Sequence, residues 1–281
     1  MPDQHELIRE ALQTLTGVKI DADKIYLIET RLNDILTDYS LETFDRMAAK
    51  IKEGNDPVFL SRVTEKITTH ETRFFRDESI FDALVMQIIP EWLEKKGLSR
   101  MNLGNARLDI WSAACSTGQE PYSIMMMLKE KMPDIAAITR IVGTDISQET
   151  LDKAVKGVYS KFEVERGMPE NLMPKYFSQE GAGYKINESL RQNIQFKKHN
   201  LIADPYPGPF DIVFIRNVAI YFEDSVKKEI FKKIRNVTKP DGILVLGSSE
   251  NLTGYMTDFI LREFGLARYY EINSSQVTIF K

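Results

Sequence analysis

The segment Leu108-Asp-Ile-Trp-Ser-Ala-Ala-Cys-Ser-Thr-Gly-Gln-Glu-Pro-Tyr122 begins as a short apolar run and ends where a helix-competent stretch begins. Small residues fill its middle, where they allow a tight turn, and Gly118 permits close approach of the backbone to a ligand. The segment therefore predicts a strand over 108–112, a ligand-binding loop, and a helix over 121–131.

Strand-like and helix-like stretches alternate after this segment. The further predicted strands span 137–142, 194–198, 210–215 and 242–246, and the predicted helices span 147–155 and 225–237. Alternation at this rhythm is typical of a parallel, doubly wound sheet. We therefore predict an α/β fold.

The first 68 residues have a different pattern. Apolar side chains recur at helical spacing, as in Ile25, Ile28, Leu32 and Ile35, and turn-forming residues separate such stretches. We therefore predict an N-terminal all-helical domain over residues 1–68, followed by a sheet-containing domain over residues 69–281.

Two further features interrupt or end the sheet pattern. Between about 157 and 193 a Gly-Ala-Gly turn separates short strand-like runs at 176–178 and 184–186, which predicts a small inserted antiparallel β subdomain. Near the end, strand-like runs at 266–272 and 276–280 predict an antiparallel hairpin at one edge of the sheet.

Composition excludes several classes of protein. The 37 basic and 41 acidic residues give a net charge of −4, which argues against a nucleic-acid partner. The single cysteine, Cys115, makes no intrachain disulfide, and the scattered histidines lack metal-ligand spacing, so no metal is expected. No apolar run approaches the roughly 20 residues of a membrane span. A polar N-terminus predicts a cytoplasmic protein, and we expect a monomer that does not insert into membranes.

Acidic residues follow two of the predicted strands. Ligands of such sheets bind at the carboxyl ends of the strands. Glu120 lies near the first loop, where the phosphate-binding pattern G-x-G-x-x-G is absent, and its charge suits a cationic ligand; alternatively, it only stabilises the first turn of the helix. Asp145 suits the two hydroxyls of a ribose, or alternatively caps the next helix, although Ser147 is better placed to do so.

Two other segments carry polar groups. The strand at 210–215 delivers Arg216 and Asn217 to the same edge, where Asn217 either positions a ligand or satisfies a local turn. Upstream, Phe74 and Phe75 are flanked by arginines, a pattern that suits covering an adenine and neutralising a carboxylate. The alternative is an ordinary helix with a half-buried phenylalanine face.

Taken together, these segments resemble the chemotaxis receptor methyltransferases, the CheR family, over essentially the whole chain. The stretches that carry the resemblance are T-H-E-T-R-F-F-R-D at 69–77, W-S-A-A-C-S-T-G-Q-E-P-Y-S at 111–123, G-T-D-I-S at 143–147, F-D-I-V-F-I-R-N-V-A-I-Y-F at 210–222 and L-G-S-S-E-N-L at 246–252. Their order and spacing also match.

The resemblance implies S-adenosylmethionine as cofactor, S-adenosylhomocysteine as product, and a glutamate carboxylate of a chemotaxis receptor as acceptor. By matching position, Glu120 binds the methionine amino group and Asp145 the ribose. Arg76, near the methyl transfer, and Tyr221, near the incoming carboxylate, are the implied catalytic residues. The resemblance also implies that Thr72 and Arg76 contact the amino-acid portion of the cofactor, and that Asn200 and Leu201 contact the adenine. Asn217 and Val218 complete the implied pocket. His70 is a further implied contact, at a position where the family often has Asn.

The implied partner is the cytoplasmic helical region of a receptor. In well-studied members the second N-terminal helix is strongly basic and docks there, whereas here residues 21–39 contain five acidic residues and only two basic ones. The candidates to serve instead are Lys50, Lys52, Arg62 and Lys66. In some relatives the inserted subdomain grips a C-terminal tether of the receptor, and the sequence leaves that role open.

Two other functions remain open from the sequence. One is methylation of a different substrate, such as a small molecule, by the same cofactor site. The other is a non-catalytic module that senses the cofactor or its product. The presence of Thr72, Arg76 and Tyr221 argues against a sensor, because a sensor does not need a substrate-side constellation.

Overall fold

The computed structural model describes residues 5–21 and 25–273. Four helices form the N-terminal part, and they are α1 (Glu6–Thr16), α2 (Ile25–Asp38), α3 (Phe44–Glu53) and α4 (Pro57–Ile67). Thr43 and Asp56 cap α3 and α4 by accepting backbone N–H groups of their first turns. Apolar faces of all four helices meet in one buried cluster that includes Leu12, Leu32 and Phe59, which confirms the predicted helical pattern.

The remaining elements alternate as predicted. The described helices are α5 (Ser79–Ala83), α6 (Ile89–Lys95), α7 (Gln119–Lys131), α8 (Pro133–Ile138), α9 (Gln148–Lys156), α10 (Lys161–Glu165), α11 (Met173–Tyr176), α12 (Glu188–Arg191) and α13 (Asp224–Val237), with a π-helical turn at Leu84–Ile88 and a 3-10 turn at Ala219–Tyr221. The described strands are β1 (Leu108–Ala113), β2 (Thr139–Asp145), β3 (Val158–Ser160), β4 (Phe177–Glu180), β5 (Gly183–Ile186), β6 (Ile194–Lys198), β7 (Phe210–Ile215), β8 (Thr238–Leu246), β9 (Phe259–Phe264) and β10 (Ala267–Ile272).

Seven strands form the main sheet in the order β6-β2-β1-β7-β8-β10-β9. The first five are parallel, and β10 pairs antiparallel with both β8 and β9. Alternate side chains of β1 and β7 face opposite sides: Ile110 and Phe214 belong to one buried cluster, and Trp111 and Val213 to the other. The sheet is therefore covered on both faces, as in a doubly wound α/β fold, and that prediction is confirmed.

The inserted subdomain is a three-stranded antiparallel sheet in the order β3-β5-β4, as predicted. It packs against the segment that precedes α5. The ring of Phe74 lies edge-on between those of Tyr159 and Phe177, with centroid distances of 5.1 and 5.5 Å. The subdomain thus supports a segment that carries predicted site residues.

Two sheet predictions need correction. The strand predicted from Ala137 begins at Thr139, because Pro133 starts a helix that continues through Ile138. The strand at 266–272 is confirmed as β10, but its hairpin partner is β9, which precedes it across a turn that contains Gly265. The mainly exposed side chains of β9 hid it from hydrophobic patterning, and the predicted strand at 276–280 lies outside the described residues.

Candidate active site

A cleft of about 980 Å³, partly open to solvent, lies at the carboxyl ends of β1, β2 and β7. The structure brings all ten predicted site residues to its walls. They are His70, Thr72, Arg76, Glu120, Asp145, Asn200, Leu201, Asn217, Val218 and Tyr221.

Glu120 lies in the first turn of α7, directly after the loop that leaves β1. Its Oε1 atom accepts a hydrogen bond from the Ser112 hydroxyl at 2.7 Å, and its Oε2 atom pairs with Nη1 of Arg216 at 2.8 Å. The loop bends through Gly118 at φ +89°, where a Cβ atom would lie 2.8 Å from that of Ala154. Glu120 is therefore held in a fixed orientation while it still lines the cleft.

Asp145 ends β2 and joins two loops through its carboxylate. Oδ2 accepts the backbone N–H of Ser116 at 2.7 Å, and Oδ1 accepts that of Ser147 at 3.0 Å. Burial raises the pKa of Asp145 above its ordinary value, and these two N–H groups act in the opposite direction. Ser147 is the N-cap of α9, as predicted, so capping is not the role of Asp145.

The segment that carries His70, Thr72 and Arg76 is irregular up to Arg73 and forms turns and bends from Phe74 to Glu78, so the alternative of an ordinary helix is wrong. The proposed role of its phenylalanines is also wrong. Phe74 and Phe75 are buried in the core instead of lining the cleft, because Phe74 packs against the inserted subdomain and Phe75 against Phe81. The arginines of the segment do line the cleft, as predicted.

A tight turn presents Asn217 and Val218 to the cleft. Asn217 has a φ of +58°, which is uncommon for a residue other than glycine. The Glu250 carboxylate accepts the backbone N–H groups of Asn217, Val218 and Ala219 at 2.7, 3.0 and 2.8 Å. Glu250 therefore fixes this wall of the cleft, and the sequence analysis assigned it no such role.

The end of α1 closes the opposite part of the cleft, a contact that the sequence analysis missed. Thr16 and Val18 line the cleft. Asn200 donates a side-chain hydrogen bond to the carbonyl of Leu15 at 3.0 Å, and Lys19 donates its backbone N–H to the carbonyl of Tyr221 at 2.7 Å. The N-terminal helices are thus tied to the sheet beside the cleft.

Comparison with known proteins identifies the fold family of this site. A family description, the SAM-binding domain of CheR methyltransferases, matches residues 70–265. The chain belongs to the CheR methyltransferase family. It is 36% identical over 256 residues to chemotaxis protein methyltransferase Cher2 of Pseudomonas putida. The aligned region covers 89% of this chain and 90% of that protein. Chemotaxis protein methyltransferase 1 of Pseudomonas aeruginosa is 35% identical over 254 residues, with 88% and 89% covered.

Membership of the CheR family confirms the prediction of a methyltransferase that uses S-adenosylmethionine. The chemistry of the cleft suits this cofactor, because S-adenosylmethionine is a cationic nucleoside and two acidic side chains, Glu120 and Asp145, line the cleft. In the described ranges, 5–21 and 25–273, no cluster of side chains is suited to hold a metal ion. Nor does any helix in those ranges have the length and apolar character needed to cross a membrane.

The basic residues suggested for receptor docking in this CheR protein are all ion-paired on the surface of the N-terminal helices. The pairs are Lys50 with Asp56 at 3.0 Å, Lys52 with Glu10 at 3.7 Å, Arg62 with Asp38 at 2.6 Å, and Lys66 with Asp34 at 2.5 Å. Two of these acids belong to α2. The pairs reduce the positive charge that this surface offers to an acidic partner.

Proposed function

We propose that this protein transfers the methyl group of S-adenosylmethionine to glutamate side chains of chemotaxis receptors, forming glutamyl methyl esters. One observation carries the proposal: a single cleft combines two acids suited to a cationic cofactor with arginines suited to an acidic acceptor. Arg73 and Arg76 both line it, and neither has a carboxylate partner within the described residues. The names of the relatives support the assignment to chemotaxis.

Each end of the cofactor has a counterpart in the cleft. Glu120 accepts the methionine ammonium, and Asp145 accepts the ribose hydroxyls; each carboxylate retains lone pairs beyond those used within the protein. Arg76 and Thr72 meet the amino-acid portion. The remaining contacts, at the adenine and around the pocket, come from His70, Asn200, Leu201, Asn217 and Val218.

The transfer needs orientation more than acid–base chemistry. The cofactor supplies an electrophilic methyl group on a sulfonium. A glutamate acceptor has a reference pKa of about 4.3, so it is ionised at neutral pH and no general base is required. Its oxygen forms the new bond to the methyl carbon as the carbon–sulfur bond breaks, with the electron pair left on sulfur. Tyr221 and Arg76 position the acceptor, and exclusion of water raises its reactivity.

The product explains a role in signalling. Esterification removes one negative charge from a receptor helix, which changes repulsion between neighbouring charges there. The acceptor is then the cytoplasmic helical region of a receptor, and the enzyme works in the cytoplasm as a monomer. Among the described strands, β4 lies at an edge of the small sheet, where a receptor tether, if one exists, would add as a further strand.

The helices over residues 1–68 and the sheet over residues 69–281 are proposed as two domains. Their separate apolar clusters support this division. The hydrogen bonds that tie Leu15 of α1 to Asn200, and the following Lys19 to Tyr221, then cross the domain boundary beside the cofactor, so the small domain forms part of the cofactor site.

Tritiated methyl transfer to receptor-bearing membranes tests this function. The expected result is labelled receptor that releases methanol in base, because a carboxyl ester is base-labile. Label that resists base, or label only in small molecules, would favour a different substrate. Binding of the cofactor without transfer to any acceptor would favour the sensor alternative.

A further inference from the structure

Arg216 lies at the end of β7, between the cleft and the core. Its side chain is only 2% exposed. Nη1 pairs with Oε2 of Glu120 at 2.8 Å, while Nη2 pairs with Oδ2 of Asp77 and also donates to the carbonyl oxygen of Arg76, both at 2.7 Å. One guanidinium group therefore connects the acid assigned to the cofactor ammonium with the turn that carries Arg76.

That turn has an unusual backbone. Phe75 and Asp77, on either side of Arg76, have φ values of +49° and +58°. Such conformations are costly for residues other than glycine and persist only where the surroundings hold them. Ser123 accepts the N–H of Phe75 at 3.0 Å on one side, and Arg216 holds Arg76 and Asp77 on the other. The direction in which Arg76 enters the cleft thus depends on Arg216.

The charges of this cluster also matter for the ligand. The cation of Arg216 lies between the anions of Glu120 and Asp77, which leaves one net negative charge beside the cleft. A buried guanidinium requires such compensation. Lysine would supply the charge as a point donor, but it cannot hold three acceptors in the planar arrangement that the guanidinium provides.

We infer that Arg216 is a positioning residue for methyl transfer, which couples cofactor binding at Glu120 to the orientation of Arg76. Although Arg216 also lines the cleft, its effect is transmitted through the two residues to which its guanidinium group is bound, Glu120 and Arg76. The inference rests on the proposed function, because it uses the roles assigned there to Glu120 and Arg76.

Arg216→Met removes the connection while keeping an apolar stem of similar length. We expect the Kd for S-adenosylmethionine, measured by calorimetry, to rise about tenfold or more, because a charged hydrogen bond that holds Glu120 is lost. We expect kcat for methyl transfer to receptor-bearing membranes, at saturating cofactor, to fall roughly 100-fold. The matched control is Arg235→Met on α13, which removes the ion pair with Asp258 and leaves both values near wild type.

Asp77→Asn separates the effect on cofactor affinity from the effect on the rate of methyl transfer. Asparagine tolerates the left-handed backbone, and the substitution weakens only the connection to the turn. We expect kcat to fall about tenfold while the Kd for the cofactor stays within about twofold of wild type. Arg216→Lys is expected to recover part of the cofactor affinity and little of kcat. This split would not arise from a general loss of stability.

A double-mutant cycle with Glu120→Gln completes the test. If Arg216 acts on the cofactor through Glu120, Arg216→Met adds little to the Kd in the Glu120→Gln background. Additive effects on Kd, or unchanged kcat in both Arg216→Met and Asp77→Asn, would overturn the inference. If Arg216→Met does not fold, Asp77→Asn with normal kcat is sufficient to overturn it. A wild-type protein that methylates no receptor would instead contradict the proposed function.

Discussion

Glu250 and Asn217 are 33 residues apart in the chain, yet Oε2 of Glu250 accepts the backbone N–H of Asn217 at 2.7 Å. The same carboxylate also accepts the N–H groups of Gly247, Val218 and Ala219. Four donors thus converge on one side chain. The left-handed backbone of Asn217 faces the cleft because this anion holds it there.

Glu250→Gln should weaken both the fold and the cofactor site. The amide nitrogen of Gln cannot accept the N–H groups that one carboxylate oxygen accepts, so some are left unsatisfied. We expect a loss of about 2 kcal/mol in the free energy of unfolding, measured in urea, and weaker binding of S-adenosylhomocysteine in calorimetry. Glu229→Gln, an exposed change on α13, should stay within about 0.5 kcal/mol of wild type. Equal effects of the two substitutions would contradict the role of Glu250.

Arg76→Ala should lower methyl transfer sharply while the fold persists. Arg76 is half-buried, lines the cleft and has no carboxylate partner in the described residues, so its loss removes orientation rather than a core contact. We expect a decrease in kcat of roughly 100-fold with unchanged circular dichroism. Arg46→Ala, an exposed change on α3, serves as control. Near-normal turnover by Arg76→Ala would refute the positioning role.

Gly17→Ala should disturb the contact of α1 with the sheet. Gly17 has a φ of +74°, and a Cβ atom there would lie 2.2 Å from Cδ1 of Ile202. Gly54→Ala is a matched control, because it has a φ of +69° but nothing within 4 Å. Both substitutions carry backbone strain of about 1 kcal/mol. We expect only Gly17→Ala to weaken cofactor binding in addition, since Thr16 and Val18 line the cleft; equal cofactor affinity in the two variants would show that α1 does not contribute to the site.

His199 predicts how stability depends on pH. Its ring is buried against Trp111 and Tyr206, and among the described residues neither ring nitrogen has a hydrogen-bond partner of normal geometry. Burial lowers the pKa of His199, and the nearby Asp204 opposes this effect. The unfolded chain therefore binds a proton more readily, so the contribution of His199 to stability is full above its unfolded pKa of about 6.5 and decreases as the pH falls below it.

The measurement is urea unfolding of His199→Leu and wild type at pH 7.5 and pH 5. Leucine fills a buried apolar site and does not titrate, so the variant should lose less stability than wild type over this interval. His5→Gln is the control, because it removes a different histidine, one that caps α1 and lies beside Glu29. The same pH dependence in wild type and His199→Leu would show that His199 does not titrate on unfolding.

The local sequence pattern was sufficient to predict site residues where polar side chains directly follow a buried strand. The short segments around Glu120, Asp145 and Asn217 each follow a buried strand, and parallel strands bring their carboxyl ends to one edge. That is why the predicted residues of these segments, Glu120, Asp145, Asn217 and Val218, line one cleft. The antiparallel insert was also readable, because a Gly-rich turn separates its two longer strands.

Contacts between distant segments could not be predicted from the local sequence pattern. Nothing local indicates that Phe74 packs between Tyr159 and Phe177, because aromatic residues beside arginines suit both a core and a ligand site. The approach of α1 to Tyr221 depends on the fold of the whole chain. An arginine that ends a buried strand was the available signal for Arg216, but its three acceptors come from two other segments.

Calorimetric titration of S-adenosylhomocysteine into the folded protein tests most directly whether the cleft at Glu120 and Asp145 is the cofactor site. We predict a saturable isotherm with one site per chain for wild type, and affinity at least about tenfold weaker for Glu120→Gln. Absence of heat with both this product and the methyl donor, from protein with normal circular dichroism, would contradict the account.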